Sequence, residues 1–324
     1  MGKRINLALF GVGYWGNKLL AEYLELQKEY PDFKLVKVVD IDKDKLALTA
    51  SKFNLPSAML STDYEKCLHD QEVDAIHIAT PNETHFLLAY NALLNNKHVL
   101  VEKPMTMNTR DAFKLTRLAE KNDNVLLVGH IFRFNNSIEK AKRFIDGILG
   151  DLYYFNLHWL DYIDPLPDRD IIFDLLPHPI DILNYLTDDW PVSIFARAES
   201  YKNNKRHKED VAFITLELSN RILAHVTLSW LHRLKQRTIT ITSSKYTLHI
   251  DALNQELTLY KKDSIERVNI DKNNTMKDMI MHFLSCINGI DKPNNSGLIG
   301  AIVVNVLVTA KRSLNEVNGL RLLE

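Results

Sequence analysis

The chain has 324 residues, of which 46% are apolar and 25% are charged, as is typical of a globular protein with two domains. Its 40 basic residues balance 41 acidic ones, which favours neither a nucleic acid nor a membrane surface as a partner. The two cysteines, Cys67 and Cys286, are too few for a disulfide framework. No apolar run reaches the roughly 18 residues of a membrane span. A cytoplasmic location is therefore expected.

The first 130 residues alternate short apolar strands with amphipathic helices. Strands are predicted over residues 4–10, 34–40, 74–79, 98–101 and 125–129, and helices over residues 17–30, 43–53, 83–95 and 109–121. Strand and helix in alternation are typical of a parallel sheet that is covered by helices on both faces. The predicted fold class is α/β, with a doubly wound parallel sheet of the Rossmann type in residues 1–130.

The pattern changes in residues 131–324. Helices are predicted over residues 137–149, 170–186, 276–287 and 297–314, and strands over residues 152–160, 192–199, 211–218, 223–231, 237–243, 246–251 and 256–261. Apolar and polar residues alternate within these strands, which favours an antiparallel or mixed sheet with one solvated or partner-covered face. We therefore expect a C-terminal α+β domain.

The first predicted strand runs into a glycine-rich turn, Gly11-Val12-Gly13-Tyr14-Trp15-Gly16. In this G-x-G-x-x-G pattern the glycines permit a tight turn, a close approach of the backbone to a pyrophosphate, and close packing of helix on strand. Asp40 closes the second strand, where a carboxylate can accept hydrogen bonds from the ribose of NAD and repel the 2′-phosphate of NADP. NAD is therefore favoured, although Lys43 leaves NADP open. The alternative is a structural turn, with Asp40 only capping the next helix.

Two further loops follow strands of the same predicted sheet. The first is Ala79-Thr80-Pro81-Asn82 with His85 shortly after it, and the second is Glu102-Lys103-Pro104. Ligands of open α/β sheets bind at the carboxyl ends of the strands, where both loops lie. A lysine there is a candidate acid or base for a substrate hydroxyl, whereas an isolated surface lysine is the alternative.

Asp174, His178 and Asp181 are spaced to share one face of a predicted helix. The other residues of that stretch are mostly apolar, so this polar face is expected to look into a cleft. Histidine can orient or exchange a hydroxyl proton. A capping aspartate and a buried structural histidine are equally good interpretations of this trio.

These motifs together resemble the glucose-fructose oxidoreductase, inositol dehydrogenase and rhizopine catabolism protein family (Gfo/Idh/MocA). The Glu102-Lys103-Pro104 triplet is the most specific of them. The resemblance implies a Rossmann domain, a C-terminal domain with a large open sheet, and dimers or tetramers that form through that sheet. It also implies hydride transfer between NAD(P) and a ring hydroxyl carbon of a sugar, cyclitol or nucleotide sugar.

The resemblance also implies three sets of site residues. The catalytic set is Lys103, His178 and Asp174. The cofactor-binding set is Gly11, Gly13, Tyr14, Trp15, Gly16, Asp40, Thr80, Pro81, Asn82, His85, Glu102 and Lys103. The substrate-binding set is Lys103, Arg133, Asp174, His178 and Asp181, and no metal is expected.

The segment before Asp174 departs from the family pattern, because residues 168–173 replace a run of glycines found in many members. Residues 174–181 and 229–237 resemble the branch that oxidises a UDP-N-acetylhexosamine or its uronate at C3. Lys235 and Arg237 would then meet a diphosphate or carboxylate, or else are exposed charges at a strand end.

Three other functions stay open: a reductase of keto-sugars or other carbonyls, a non-catalytic NAD(P)-binding sensor, and a metal-dependent hydrolase using His130, His158, Asp174 and His178. The retention of Lys103 with Asp174 and His178 argues against the sensor. The lack of a short ligand spacing argues against the hydrolase.

Overall fold

The computed structural model describes residues 4–164, 169–202 and 209–316. The chain divides into two compact units, each of which is described by itself. The first comprises residues 1–134 and 274–304, and the second comprises residues 135–273 and 305–324. Within the described ranges, no helix combines the length and the apolar character needed to cross a membrane.

The N-terminal part of the first unit is an alternation of strands and helices. Its elements are β1 (Ile5–Phe10), α1 (Tyr14–Glu29), β2 (Phe33–Val39), α2 (Lys43–Phe53), β3 (Leu60–Ser61), α3 (Tyr64–Leu68), β4 (Ala75–Ile78), α4 (Asn82–Leu94), β5 (His98–Val101), α5 (Thr109–Lys121) and β6 (Leu126–Val128). The strands form one parallel sheet in the order β3-β2-β1-β4-β5-β6. This order confirms the predicted doubly wound Rossmann sheet and puts its topological switch point between β1 and β4.

Local sequence explains where these helices start. The side chain of Asp42 accepts hydrogen bonds from the backbone N–H groups of Asp44 and Lys45 at the start of α2, and Asn108 caps α5 in the same way. Helix α1 begins at Tyr14, three residues earlier than predicted, because the backbone turns helical directly after the extended Gly13. The short β3 and α3 were not predicted, since two and five residues are too few to show a period.

The second unit is built on a large sheet. Its elements are α6 (Asn136–Gly147), β7 (Leu152–Tyr162), α7 (Ile171–Leu175), α8 (Pro177–Thr187), β8 (Pro191–Glu199), β9 (Val211–Leu218), β10 (Leu223–Ser229), β11 (Leu231–Ser243), β12 (Thr247–Asp251), β13 (Glu256–Tyr260) and β14 (Ile265–Val268). The strands are ordered β14-β13-β12-β11-β7-β10-β9-β8, and every neighbouring pair is antiparallel except β7 with β10. The predicted mostly antiparallel sheet is confirmed.

Two details of the second unit differ from the prediction. The helix predicted over residues 170–186 is divided at Leu176 into α7 and α8, with Pro177 at the first position of α8. Proline has no N–H to donate to the preceding turn, which favours a new helix start there. Strand β14 was missed because three of its four residues are exposed, so no alternating pattern marks it.

Two helices follow the large sheet in sequence, α9 (Thr275–Ile287) and α10 (Gly297–Ser313). The apolar face of α9 packs in the first unit, where Met279, Ile280 and Phe283 join the same buried cluster as Leu19 and Tyr23 of α1. The Lys277 ammonium also lies 2.6 Å from the Glu29 carboxylate at the end of α1. The first unit therefore takes residues from before and after the large sheet in the sequence.

Candidate functional site

The glycine turn after β1 needs two of its glycines for packing. Gly11 has a φ of +93°, and a Cβ atom there would lie 2.5 Å from the carbonyl oxygen of Ala79. A Cβ atom on Gly16 would overlap the carbonyl oxygen of Gly11. Both positions therefore require glycine if α1 is to pack closely against the sheet.

Gly13 is a different case, because its surroundings are open. Apart from its chain neighbours, no heavy atom of the described residues lies within 4 Å of the place that a Cβ atom would take. Helix α1 starts here without a side-chain cap and without an acidic residue in its first turn. The helix N-terminus thus presents its positive dipole end to an uncluttered space. This arrangement fits the pyrophosphate of a dinucleotide, which must approach the backbone closely and would be blocked by a side chain at this position.

Asp40 follows β2 and braces this turn. One of its carboxylate oxygens accepts the N–H of Val12 at 2.8 Å, and the other accepts the N–H of Asp42 at 2.9 Å. Each oxygen keeps a further lone pair for a ribose hydroxyl. The side chain is partly exposed, so its charge faces any group that approaches the turn.

We expect Asp40→Ser to weaken NADH binding about ten- to a hundredfold, because charge-assisted hydrogen bonds to the ribose are lost. Binding of NADPH should be unchanged or improved, since the repulsion of its 2′-phosphate is removed. Titration of nicotinamide fluorescence measures both affinities. Asp44→Ser, on the exposed first turn of α2, is the control. An equal loss for the two cofactors would show that Asp40 only braces the turn.

The loop after β4 carries Thr80, Pro81 and Asn82. The hydroxyl groups of Thr80 and Thr84 lie 2.6 Å apart, and that of Thr84 also donates to the Pro81 carbonyl at 2.7 Å. Asn82 is 3% exposed, and its side-chain nitrogen has no hydrogen-bond partner in the described part of the chain. A buried amide donor without a partner is costly, so this position fits a group that arrives with a ligand.

His85 ties this loop to the next one. Its Nδ1 lies 2.9 Å from the carbonyl oxygen of Pro104, and its Nε2 lies 2.9 Å from that of Thr80. The ring is 1% exposed. Since its ring nitrogens contact the carbonyls of Thr80 and Pro104, we infer that His85 stabilises the loop after β4 against the loop after β5.

The loop after β5 carries the Glu102-Lys103-Pro104 triplet, with a cis peptide bond between Lys103 and Pro104. Lys103 is partly exposed, whereas Glu102 is buried. Burial acts to raise the pKa of Glu102. His77, the Trp15 indole N–H and the Lys103 ammonium outweigh it, so the pKa of this carboxyl lies below its usual value. A carboxylate therefore sits directly before the candidate acid or base.

Asp174, His178 and Asp181 lie in the second unit. Asp174 is at the end of α7, where it accepts the indole N–H of Trp230 at 3.2 Å and lies 3.7 Å from the Arg169 guanidinium. His178 is half-buried in the first turn of α8. Asp181 is 1% exposed, so its side chain is buried.

The ring of His178 packs near that of Trp159, with the ring centroids 6.1 Å apart. The junction of α7 and α8 falls between Asp174 and His178. Part of the preceding segment, residues 165–168, lies outside the described residues.

Three cationic residues that the sequence analysis assigned to substrate binding have different surroundings: Arg133, Lys235 and Arg237. Arg133 is buried in the first unit, where its Nη1 donates to the Asn294 carbonyl at 2.9 Å. Arg237 is also buried, and its guanidinium donates to the Leu160 carbonyl at 2.6 Å. Lys235 is 55% exposed, with its ammonium 2.8 Å from the Asp161 carboxylate. Of these three, Lys235 has the charge most open to a ligand.

Sequence analysis assigned no role to two more cations, Lys202 and Arg233, which lie beside Tyr162. The Lys202 ammonium and the Arg233 guanidinium each lie 4.2 Å from the ring centroid of Tyr162. Tyr162 ends β7, and Arg233 is on β11 with Lys235. Arg233 lies in the segment 229–237 that resembles the nucleotide-sugar branch, but the sequence does not show that Arg233 and Lys202 meet at one aromatic ring. Across the described ranges, no group of three histidine, cysteine or acidic side chains is placed to hold a metal ion.

Two family models match the chain. Residues 5–130 match an oxidoreductase family with an NAD-binding Rossmann fold, and residues 138–249 match the GFO/IDH/MocA C-terminal domain. The chain belongs to the GFO/IDH/MocA oxidoreductase family. This confirms the predicted family and identifies the first match as an NAD-binding Rossmann domain.

Among GFO/IDH/MocA relatives, the UDP-N-acetylglucosamine 3-dehydrogenase of Acidithiobacillus ferrooxidans is 31% identical over 59% of this chain and 59% of its own length. A 1-carboxy-3-chloro-3,4-dihydroxycyclohexa-1,5-diene dehydrogenase from Comamonas testosteroni is 28% identical over 61% of this chain and 52% of its own length. These alignments thus span little more than half of each curated relative.

Solved structures of the GFO/IDH/MocA fold match nearly the whole chain. The UDP-N-acetylglucosamine 3-dehydrogenase GnnA from Acidithiobacillus ferrooxidans has a TM-score of 0.85 at 26% identity, covering 96% of this chain and 98% of that one. An inositol dehydrogenase homolog from Azotobacter vinelandii, complexed with NADH and myo-inositol, has a TM-score of 0.86 at 16% identity, covering 97% and 96%. The second likeness is one of fold alone.

Proposed function

We propose that this protein is an NAD(P)-dependent dehydrogenase that transfers a hydride between the nicotinamide and a ring hydroxyl carbon of a sugar, cyclitol or nucleotide sugar. The observation that carries the proposal is the position of Lys103. It follows β5 at the same sheet edge as the open Gly13 turn after β1 and the Asn82 loop after β4. A base at this edge is what oxidation of an alcohol requires.

The first unit would hold the cofactor and the second the substrate. Gly13 and the start of α1 would face the pyrophosphate, Asp40 the adenosine ribose, and the Thr80-Pro81-Asn82 loop the nicotinamide side. When bound, the nicotinamide supplies the hydride acceptor. Lys103 takes the hydroxyl proton in oxidation and returns it in reduction. His178 orients the hydroxyl, and Asp174 supports it.

The favoured substrate is a nucleotide-linked amino sugar. The relative from Acidithiobacillus ferrooxidans is named for UDP-N-acetylglucosamine and resembles this chain over both units. Lys202, Arg233 and Lys235 lie together around Tyr162 and Asp161, and they can attract a diphosphate or a carboxylate. A neutral polyol would make no use of these cations.

A spectroscopic screen tests this proposal. The purified protein is incubated with NAD or NADP and one of UDP-N-acetylglucosamine, its uronate, myo-inositol or glucose, and reduced cofactor is followed by absorbance. The expected result is turnover with NAD and the highest kcat/KM on a UDP-sugar. Higher kcat/KM on neutral sugars would overturn the nucleotide-sugar assignment. Tight NADH binding without turnover in either direction would favour a sensor.

A reductase of keto-sugars is the second candidate, because the same lysine serves both directions. The screen therefore includes NADH with oxidised sugars.

We also place the enzyme in the cytoplasm, which is consistent with its two buried free thiols. Burial raises the pKa of Cys67 to about 12 and that of Cys286 to about 11, so both stay protonated and unreactive.

We further propose that the protein forms a homodimer or homotetramer through the outward face of the large sheet. This face carries the half-exposed aromatic side chains of Tyr154, Phe195 and Phe213 beside histidines and threonines. We expect Phe213→Glu to reduce the mass measured by light scattering to that of a monomer. Leu253→Glu, in the loop after β12, is the control. A wild-type monomer would contradict the proposal.

A further inference from the structure

A chain of three buried polar side chains lies beneath the loop that carries Lys103. The Tyr23 hydroxyl, on α1, is 2.9 Å from His77 Nδ1, on β4. His77 Nε2 is in turn 3.4 Å from Glu102 Oε1, at the end of β5. Tyr23 and His77 are both 0% exposed, in a sheet layer where apolar side chains are the rule.

The chemistry of the three groups sets the direction of the Tyr23–His77 hydrogen bond and of the longer His77–Glu102 contact. A carboxylate has no proton to donate, so the His77 ring faces it best with a proton on Nε2, at a distance beyond that of a normal hydrogen bond. Burial and the charge of Glu102 raise the pKa of Tyr23 well above its usual value, so the phenol keeps its proton. In a neutral imidazole, Nδ1 accepts that proton. Tyr23 O–H thus donates to His77, and the His77 Nε2–H group faces the Glu102 carboxylate at 3.4 Å.

The other groups around the Glu102 carboxylate come from three sides. The Trp15 indole N–H approaches from the start of α1, and the Lys103 ammonium from the same loop as Glu102. On the third side the carboxylate packs against Gly129, where a Cβ atom would come within 2.6 Å of Oε2. His77 is therefore the neighbour that links Glu102 to the interior of the sheet.

We propose that Tyr23 and His77 are positioning residues for the Glu102-Lys103 loop, holding the Glu102 carboxylate in place and charged so that Lys103 is fixed for proton transfer. The role of Lys103 rests on the function proposed above. The charges of the Glu102 carboxylate and the Lys103 ammonium attract each other, and His77 Nε2 lies 3.4 Å from the same carboxylate. Neither Tyr23 nor His77 touches the reacting atoms.

A pair of non-titrating substitutions isolates the His77 contact. His77→Gln places an amide N–H where Nε2 was, whereas His77→Leu fills the space without a donor. In the leucine variant the buried Glu102 loses its main partner, and burial then raises its pKa above that of the unfolded chain. A carboxyl whose pKa is raised by folding lowers the free energy of unfolding increasingly as pH rises above the pKa of that carboxyl in the unfolded chain.

Thermal unfolding of the protein without added cofactor is the first readout. We expect the Tm of His77→Leu to fall further below that of His77→Gln as pH rises, by about 3–8 °C between about pH 5 and about pH 8. A packing defect alone would give a Tm difference that does not change with pH. That outcome would overturn the proposal.

Steady-state kinetics give the second readout. His77→Leu should lower kcat about ten- to a hundredfold relative to His77→Gln, with the KM for NAD within about threefold, because a displaced acid or base slows chemistry more than binding. Tyr23→Phe should lower kcat by a smaller factor, and Tyr30→Phe, just after α1, is its control. Equal kcat in the two His77 variants would contradict the proposal.

The two readouts separate this inference from the proposed function. Wild-type protein without turnover on any substrate would end the dehydrogenase proposal. The pH-dependent Tm difference would still report whether His77 holds Glu102 charged.

Discussion

Lys103→Ala is expected to lower kcat by about 10²–10⁴-fold, the usual contribution of a positioned acid or base. Affinity for NADH should change by less than about threefold, since the Gly13 turn and Asp40 are untouched. Stopped-flow or steady-state formation of NADH measures the first quantity, and fluorescence titration the second. Lys121→Ala, at the exposed end of α5, is the matched control.

Lys103→Arg refines this test. Arginine keeps the positive charge and a similar length but does not release its proton at working pH. If Lys103 acts as the base, the arginine variant should be nearly as inactive as the alanine variant. If it only attracts substrate through its charge, the arginine variant should retain most of the wild-type kcat. The second result would remove Lys103 from the catalytic role.

Gly13→Val is expected to weaken NADH binding by about a hundredfold or more while leaving the fold intact. Apart from the adjacent residues, no described atom lies within 4 Å of a Cβ atom at this position, so we expect a larger side chain to be accommodated without moving α1. It occupies the space that backbone contact with a pyrophosphate requires. Fluorescence titration of NADH measures the loss, and thermal unfolding checks that the Tm stays within about 2 °C of wild type.

Gly16→Ala is the informative comparison for this variant. Its Cβ atom would overlap the Gly11 carbonyl oxygen, so α1 must shift on the sheet. Overpacking of this kind costs about 1–3 kcal/mol, and the Tm should fall by several degrees. A Gly13→Val variant that binds NADH normally would show that the dinucleotide does not approach this turn.

The sequence predicts those parts of the molecule in which apolar residues recur with the spacing of a single helix or strand. Buried parallel strands such as β1 and β4 are mostly apolar, and residues of the large sheet's strands alternate between apolar and polar. The glycine turn is predictable as well, because only glycine meets the steric demands at Gly11 and Gly16. These signals are local, and they were sufficient for the fold class and the family.

Other parts depend on contacts between residues far apart in the sequence, and no local sequence pattern indicates them. His77 lies on the mostly apolar strand β4 and Tyr23 on the buried face of α1, so both look like ordinary core residues until the fold brings Tyr23 to His77 and His77 to Glu102. Arg237 looks like a ligand-binding charge, but the pairing of β11 with β7 puts its guanidinium against the Leu160 carbonyl. Such contacts depend on sheet register, which a single sequence does not specify.

The packing of α9 against α1 has a consequence for the order in which the chain folds during synthesis. β1 and α1 leave the ribosome before the large sheet, whereas the buried face formed by Met279, Ile280 and Phe283 emerges after it. Until then, the side of α1 that carries Leu19 and Tyr23 lacks part of its apolar cover. The cofactor half of this enzyme is thus completed only after most of the large sheet has been made, and a shortened chain that ends before α9 should aggregate rather than bind a dinucleotide.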